Sequence, residues 1–272
     1  MASMRLARLL IATTAAAVPI TGALASSSDR YVTDGATLRL VTTGLADEAG
    51  QLRGAVEIRL APGWKTYWKE PGASGVPPQI DVAGSINVTA AALRFPAPEW
   101  HADDYGDWAG YGRPVVLPIV FTVGAPERFS VIEADFFLGI CETICVPVQA
   151  RLTVEPGSAP EDPADAAFVA AAFGGLPGTP DAGFGVREAR LSGDVLLVKV
   201  SVPAAGSDRA ALFLAPEAGY ALGTPRSSGG DGTETTFEVP VLARPAGDAA
   251  DVVVSYTLTA GDAAVTGNFT LP

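Results

Sequence analysis

The sequence predicts an all-β chain folded as two antiparallel β-sandwich domains joined by a short linker with one helix. Three observations carry the prediction. Apolar and polar residues alternate at period two in many short runs, Gly/Pro-rich turns separate those runs, and a stretch rich in Pro, Ser and acid at 156–163 divides them into two sets. Length agrees, since 272 residues are many for one core and enough for two of about 100–130 residues each.

Residues 1–25 read as a secretory signal peptide. Arg5 and Arg8 form a positive start, Leu9 to Gly22 is apolar, and Ala23-Leu24-Ala25 is a small-x-small cleavage site before Ser26. Thr13, Thr14, Pro19 and Thr21 interrupt the apolar run, and no later stretch is long and apolar enough to cross a bilayer. The expectation is an exported chain, cleaved near Ala25, with no direct membrane insertion.

The first sandwich is expected over 30–155. Ala36 to Thr42 puts Leu38 and Leu40 on one face, and Ala55 to Leu60 turns Val56, Ile58 and Leu60 inward with Glu57 and Arg59 outward. Short strands at 79–82 and 86–95 follow. Val115 to Val123 is continuously apolar, and Pro118 inside it predicts an edge or a bulge. Residues 129–140 alternate, with Ile132, Ala134, Phe136, Leu138 and Ile140 on one side, and 148–154 is the next strand. The linker is expected over 156–182. Its Ala-rich helix at 164–173 puts Phe168, Ala172 and Phe173 on one face and stops at Gly174-Gly175. A second, smaller sandwich is expected over 183–272, with strands at 186–191, 195–202, 210–214, 233–239, 251–258 and 264–271. Ser227 to Gly232 is Gly-rich, but no helix follows it and it lacks the Lys-Ser/Thr of a phosphate cradle, so it reads as a hairpin turn.

Charge excludes some functions. Removing Arg5 and Arg8 from 18 basic residues leaves 16 against 30 acidic ones, a net charge of −14. An acidic chain without a basic patch argues against nucleic acid and anionic membrane as partners. Both methionines lie in the leader, and His101 is the single histidine. With two cysteines besides, there is little material for a copper or zinc site, and no metal or cofactor is expected. High Ala, Gly and Pro with few Lys fits a GC-rich bacterial gene, so export means the periplasm, where disulfides persist.

Cys141 and Cys145 are the only cysteines, within Phe136-Phe137-Leu138-Gly139-Ile140-Cys141-Glu142-Thr143-Ile144-Cys145-Val146-Pro147. Counting alone favours a structural bond. Magnitude opposes it, because closing a loop of roughly five residues removes only about 2 kcal/mol of unfolded-chain entropy. The spacing is C-x3-C rather than C-x-x-C, and no helix begins there to lower a thiol pKa. Glu142 lies between the cysteines, with no Lys or Arg within five residues of either one. Acids disfavour a thiolate, so the free dithiol is expected to be sluggish until a partner supplies the activation. Two further stretches stand out. Phe95 to Gly112 reads as a Gly-rich loop joining two strands, with Trp100, His101, Asp103, Asp104, Tyr105, Trp108 and Tyr111 among its residues. Such loops carry function, here as a flap over the cysteines. Gly63 to Gly72 interleaves aromatics with lysines and reads as core and turn packing. The residues alone leave two readings open, a redox dithiol or a binding adaptor with a permanent disulfide.

Five pieces together resemble a known family. These are the Gly63–Gly72 turn, Phe95-Pro96-Ala97-Pro98, Trp100-His101…Asp104-Tyr105-Gly106, Val116-Leu117-Pro118 and Cys141-Glu142-Thr143-Ile144-Cys145-Val146-Pro147. Over about residues 30–155 the chain resembles the N-terminal periplasmic domain of the DsbD and ScsB thiol:disulfide interchange proteins. The resemblance implies an immunoglobulin-like sandwich whose catalytic pair is Cys141 and Cys145, with Cys145 making the mixed disulfide and Cys141 resolving it. It also implies a cap, for which Tyr105 is the first match and Trp108 the second; His101, Asp103, Asp104, Glu142 and Tyr111 are the candidates nearby for a supporting role. Implied partners are periplasmic thioredoxin-like oxidoreductases and a membrane electron relay. Here the relay is expected on a separate chain, since the sequence carries neither the family's membrane domain nor its thioredoxin-like domain. The alternative is a non-catalytic adaptor, in a metal-tolerance or cytochrome c maturation context.

Overall fold

A computed structural model describes residues 26–72, 75–104, 106–160, 162–217, 219–244 and 252–271. The expected leader, with its cleavage site, and Tyr105 lie outside the described residues. Among the described residues no helix is long and apolar enough to cross a membrane.

Among the described residues the chain is all-β apart from one α-helix and two short 3-10 turns. Its first strands are β1 (Tyr31–Val32), β2 (Ala36–Thr42), β3 (Gln51–Leu60), β4 (Thr66–Tyr67), β5 (Gln79–Asp81), β6 (Val88–Leu93), β7 (Glu99–Asp103), β8 (Gly106–Tyr111), β9 (Val115–Val123), β10 (Ile132–Cys141) and β11 (Cys145–Val154). Helix α1 spans Pro163–Gly174. The chain continues through β12 (Gly185–Ser192), β13 (Val195–Ser201), β14 (Ala210–Pro216), β15 (Ala221–Leu222), β16 (Arg226–Asp231), β17 (Glu234–Ala243), β18 (Val252–Ala260) and β19 (Ala263–Leu271).

Among the described residues strand pairing is antiparallel except for one isolated bridge, Gly178 to Val265. A sheet ordered β1-β2-β3-β9-β6 faces a sheet ordered β11-β10-β5. Period-two alternation builds their shared core. Leu38, Leu40, Val56 and Ile58 from one sheet meet Ile132, Ala134, Phe136, Leu138 and Ile140 from the other, all buried. This arrangement is consistent with an immunoglobulin-like β-sandwich. Small sheet β4-β8-β7 sits at the end of β10. In the second strand set, β12-β13-β17-β15 with β16 and β14-β18-β19 enclose another buried cluster around Leu196, Val198, Phe237, Val239 and Leu258.

Three expectations change. Pro118 marks neither an edge nor a bulge, because β9 is paired on both sides, by β3 and β6. Its carbonyl accepts from Arg94 N (2.7 Å) just beyond the last β6 pair, Leu93 with Ile119, so its missing N–H falls where that ladder ends. Most of the expected Gly-rich turn at 227–232 is strand β16, paired with β17. The stretch at 95–112 is not a loop but mostly a β-hairpin, β7–β8.

Helix α1 is capped by the Asp162 carboxylate, which accepts from Ala164 N and Asp165 N. It packs on the outer face of the first sheet, where Val169 meets Val41 and Ala55, with Phe168, Ala172 and Phe173 around them. Asp165 reaches Arg39 of β2 at 3.1 Å. Val169→Ala should therefore cost about 2 kcal/mol in denaturant unfolding, by lost apolar burial and the cavity left behind. An unchanged midpoint would mean that the helix is not docked.

Candidate functional site: a disulfide at the end of a hairpin

Strands β10 and β11 pair without a break from Ile132–Val154 to Cys141–Cys145, and residues 142–144 close the hairpin. The two cysteines, the last pair of that ladder, are joined as a disulfide. Cys141 has the opposite parity to the core row ending at Ile140, so its side chain lies on the face that also carries Gly139. Cys141 is 1% exposed, whereas Cys145 is exposed.

The Gly63–Gly72 turn delivers the next part. Lys65 N donates to Cys141 O (2.8 Å) and Cys141 N donates to Lys65 O (3.0 Å), a single antiparallel bridge. By the period of two, Tyr67 then lies over Gly139. A Cβ on Gly139 would stand 2.9 Å from the Tyr67 ring and from Val76, so the ring's seat depends on that glycine. Thr66 Oγ1 donates to Gly139 O at 3.0 Å. Tyr67 Oη comes 3.1 Å from Cys145 Sγ and 3.2 Å from Cys141 Sγ. Sulfurs joined as a disulfide carry no proton, so the phenol is the donor. Burial, helped by the Asp103 carboxylate, raises the Tyr67 pKa and keeps that proton in place.

Hairpin β7–β8 supplies the facing wall. Tyr67 pairs with Gly110 and His101 with Trp108. Trp108 is 6% exposed and meets the Tyr67 ring edge-on (5.8 Å, 84°). His101 stacks on the Trp108 indole at 4.0 Å. Lys65 Nζ lies 4.5 Å from the Trp108 ring centroid and pairs with the Asp103 carboxylate. Lys65, Tyr67, Asp103, Trp108, Cys141, Thr143, Ile144 and Cys145 line a cleft of about 290 Å³.

The structure thus brings Cys141, Cys145, Trp108 and Asp103 together, with His101 behind Trp108. Among the described residues His101 Nε2 has no hydrogen-bond partner, and burial lowers the imidazole pKa, with the Glu99 carboxylate acting against it. Glu142 and Asp104 are exposed and do not line the cleft. Tyr111 is buried in the core and donates to Pro96 O (2.9 Å), which identifies it as a packing residue. Sequence reasoning missed Tyr67 and Lys65. The signal lay in the aromatic and lysine turn, read as packing only. Lys65 also corrects the charge reading, because folding brings to the disulfide a cation that lies 76 residues from Cys141 in sequence. Among the described residues no group of three or more His, Cys, Asp or Glu side chains comes together as a metal site.

Disulfide, phenol and cleft come together at one end of the first sandwich, with one cysteine buried and the other exposed. Residues 41–156 match the family described as thiol:disulfide interchange protein DsbD, N-terminal. Comparison with curated protein sequences finds no match to the chain. The fold resembles the crystal structure of the N-terminal periplasmic domain of ScsB from Proteus mirabilis, with a TM-score of 0.76 and 22% identity, covering 91% of this chain and 98% of that one. At that coverage the likeness in fold extends into the second strand set.

If the Tyr67 hydroxyl donates to a thiolate in the reduced pair, Tyr67→Phe should raise the Cys145 thiol pKa by about one unit, the weight of a hydrogen bond to a charged group. The pH dependence of alkylation of the reduced protein measures this. An unchanged profile would leave the phenol a packing role alone.

Proposed function

We propose that this protein is a periplasmic thiol–disulfide exchange protein that shuttles reducing equivalents between protein partners through Cys141 and Cys145. The observation that carries the proposal is the asymmetry of the pair, one cysteine buried and the other open, with a protonated phenol at hydrogen-bond distance from both sulfurs. A partner's thiolate attacks Cys145 Sγ, the Cys141–Cys145 bond breaks, and Cys141 leaves as a thiolate that accepts a hydrogen bond from Tyr67. The partner's second thiolate then attacks the partner sulfur of the mixed disulfide. That step releases the reduced pair and the oxidised partner, with two electrons transferred. Delivery to the next partner runs in reverse. The Cys145 thiolate opens that partner's disulfide, and Cys141 resolves the mixed disulfide. Neither metal nor organic cofactor is required.

In this reading the partners are thioredoxin-like oxidoreductases and, on a separate chain, a membrane electron relay. Exposed Ile144 and Val146 flank Cys145 and offer an apolar rim for docking. Tyr105 is the cap that moves on docking, and Trp108 is a fixed wall of the cleft. His101 holds the Trp108 ring, Asp103 holds Lys65 over it, and the exposed Asp104 and Glu142 are further supporting positions. Residues 30–155 form the redox domain, 156–182 the connection and 183–272 a second sandwich domain. Residues 1–25 direct export and are removed near Ala25.

Equilibration of the protein in glutathione and dithiothreitol buffers tests the proposal. A reduction potential above about −300 mV, within reach of periplasmic dithiols, is expected; a lower value, typical of inert structural bonds, would sink it.

A further inference from the structure

Sheet geometry gives the β7–β8 hairpin two faces. Cross-strand pairs share a face, so Asp103 and Trp108 lie on one, and Trp100, Asp107 and Ala109 lie on the other. The first face lines the disulfide cleft. The second meets the second strand set. Trp100 stacks on Phe213 of β14 (5.3 Å, 10°), and its Nε1 donates to Leu212 O at 3.0 Å. Asp107 faces Arg226 of β16 at 3.5 Å. The same parity holds on β4 and beyond it. Tyr67 reaches the sulfurs, while Trp68, the next residue, turns the other way and meets Phe213 edge-on (5.9 Å, 65°). Phe213 is 1% exposed and belongs to the first sandwich's buried cluster rather than to that of its own strand set.

Tyr67 and His101 therefore each adjoin in sequence a tryptophan that packs on Phe213. Trp68 follows Tyr67, and Trp100 precedes His101, which stacks on Trp108. We propose that Phe213 is a positioning residue through which the second strand set braces both walls of the cleft and limits access to the Cys141–Cys145 disulfide. Loss of the brace lets the hairpin move away from the sulfurs, and small thiols then reach them faster. The inference builds on the reading of the disulfide as a redox centre and gives the second strand set a task in it.

The test compares the rate at which dithiothreitol reduces the disulfide in wild type, Phe213→Leu, Trp100→Leu and Arg226→Ala, with Val239→Ala as a control. Phe213→Leu keeps apolar volume but loses both ring contacts, and should react about fivefold faster, as expected for losing an aromatic pair. Trp100→Leu should do the same. Arg226→Ala, at a side chain 76% exposed, should give about twofold, in line with a surface ion pair. Val239→Ala, buried in the second cluster, should lower Tm without changing the rate. Rates of Phe213→Leu and Trp100→Leu within twofold of wild type overturn the brace, as does an equal acceleration in Val239→Ala. If Phe213→Leu fails to fold, Trp100→Leu decides. Altered rates with an inert potential would sink the carrier function and leave the brace, whereas an active potential with unaltered rates would sink the brace alone.

Discussion

Two backbone hydrogen bonds between Lys65 and Cys141 hold the site together. They fasten the residue just before a two-residue strand to the last residue of a ten-residue one. Once that register is set, alternation does the rest. Tyr67 falls over Gly139, where there is no Cβ to exclude it, and its hydroxyl arrives at both sulfurs. Gly110 allows a second close approach, since a Cβ there would stand 2.3 Å from Thr66 O. That contact lets β8 pair with β4 and carries Trp108 against the Tyr67 ring. Substituting either glycine would push apart the walls that shape the cleft.

The chemistry follows from the unequal environments of two cysteines that face each other across the hairpin. The hairpin end leaves Cys145 open, while the strand Thr66–Tyr67 and the Trp108 wall cover Cys141. A shared phenol proton can stabilise a thiolate without a formal positive charge, which suits a centre whose cation, Lys65, is already paired with Asp103. An exposed apolar residue, Ile144, stands beside the open sulfur at 76% exposure.

Much of this was legible in the sequence where the pattern was long. The alternation through 132–140 gave the core face of β10, and the two cysteines marked its end. The bond between them follows from their being the only pair. What escaped notice was short or glycine-rich. Strand β4 has two residues and no period to read, so Tyr67 and Lys65 looked like turn packing. Hairpin β7–β8 carries Gly106, Gly110 and three aspartates, which have low strand propensity, and it is held by tertiary pairing with β4. β16 holds two glycines and is held by β17 in the same way. Contacts of Phe213 with Trp68 and Trp100 cross more than 100 residues of sequence, and no local pattern encodes them.

The central claim is that Cys145 is the sulfur that exchanges and Cys141 the one that is sheltered. Single cysteine-to-serine variants incubated with an oxidised thioredoxin-like protein measure it directly. Cys141→Ser should accumulate a mixed disulfide through Cys145, and Cys145→Ser should accumulate little. Equal trapping by the two variants, or trapping through Cys141 alone, would contradict the account.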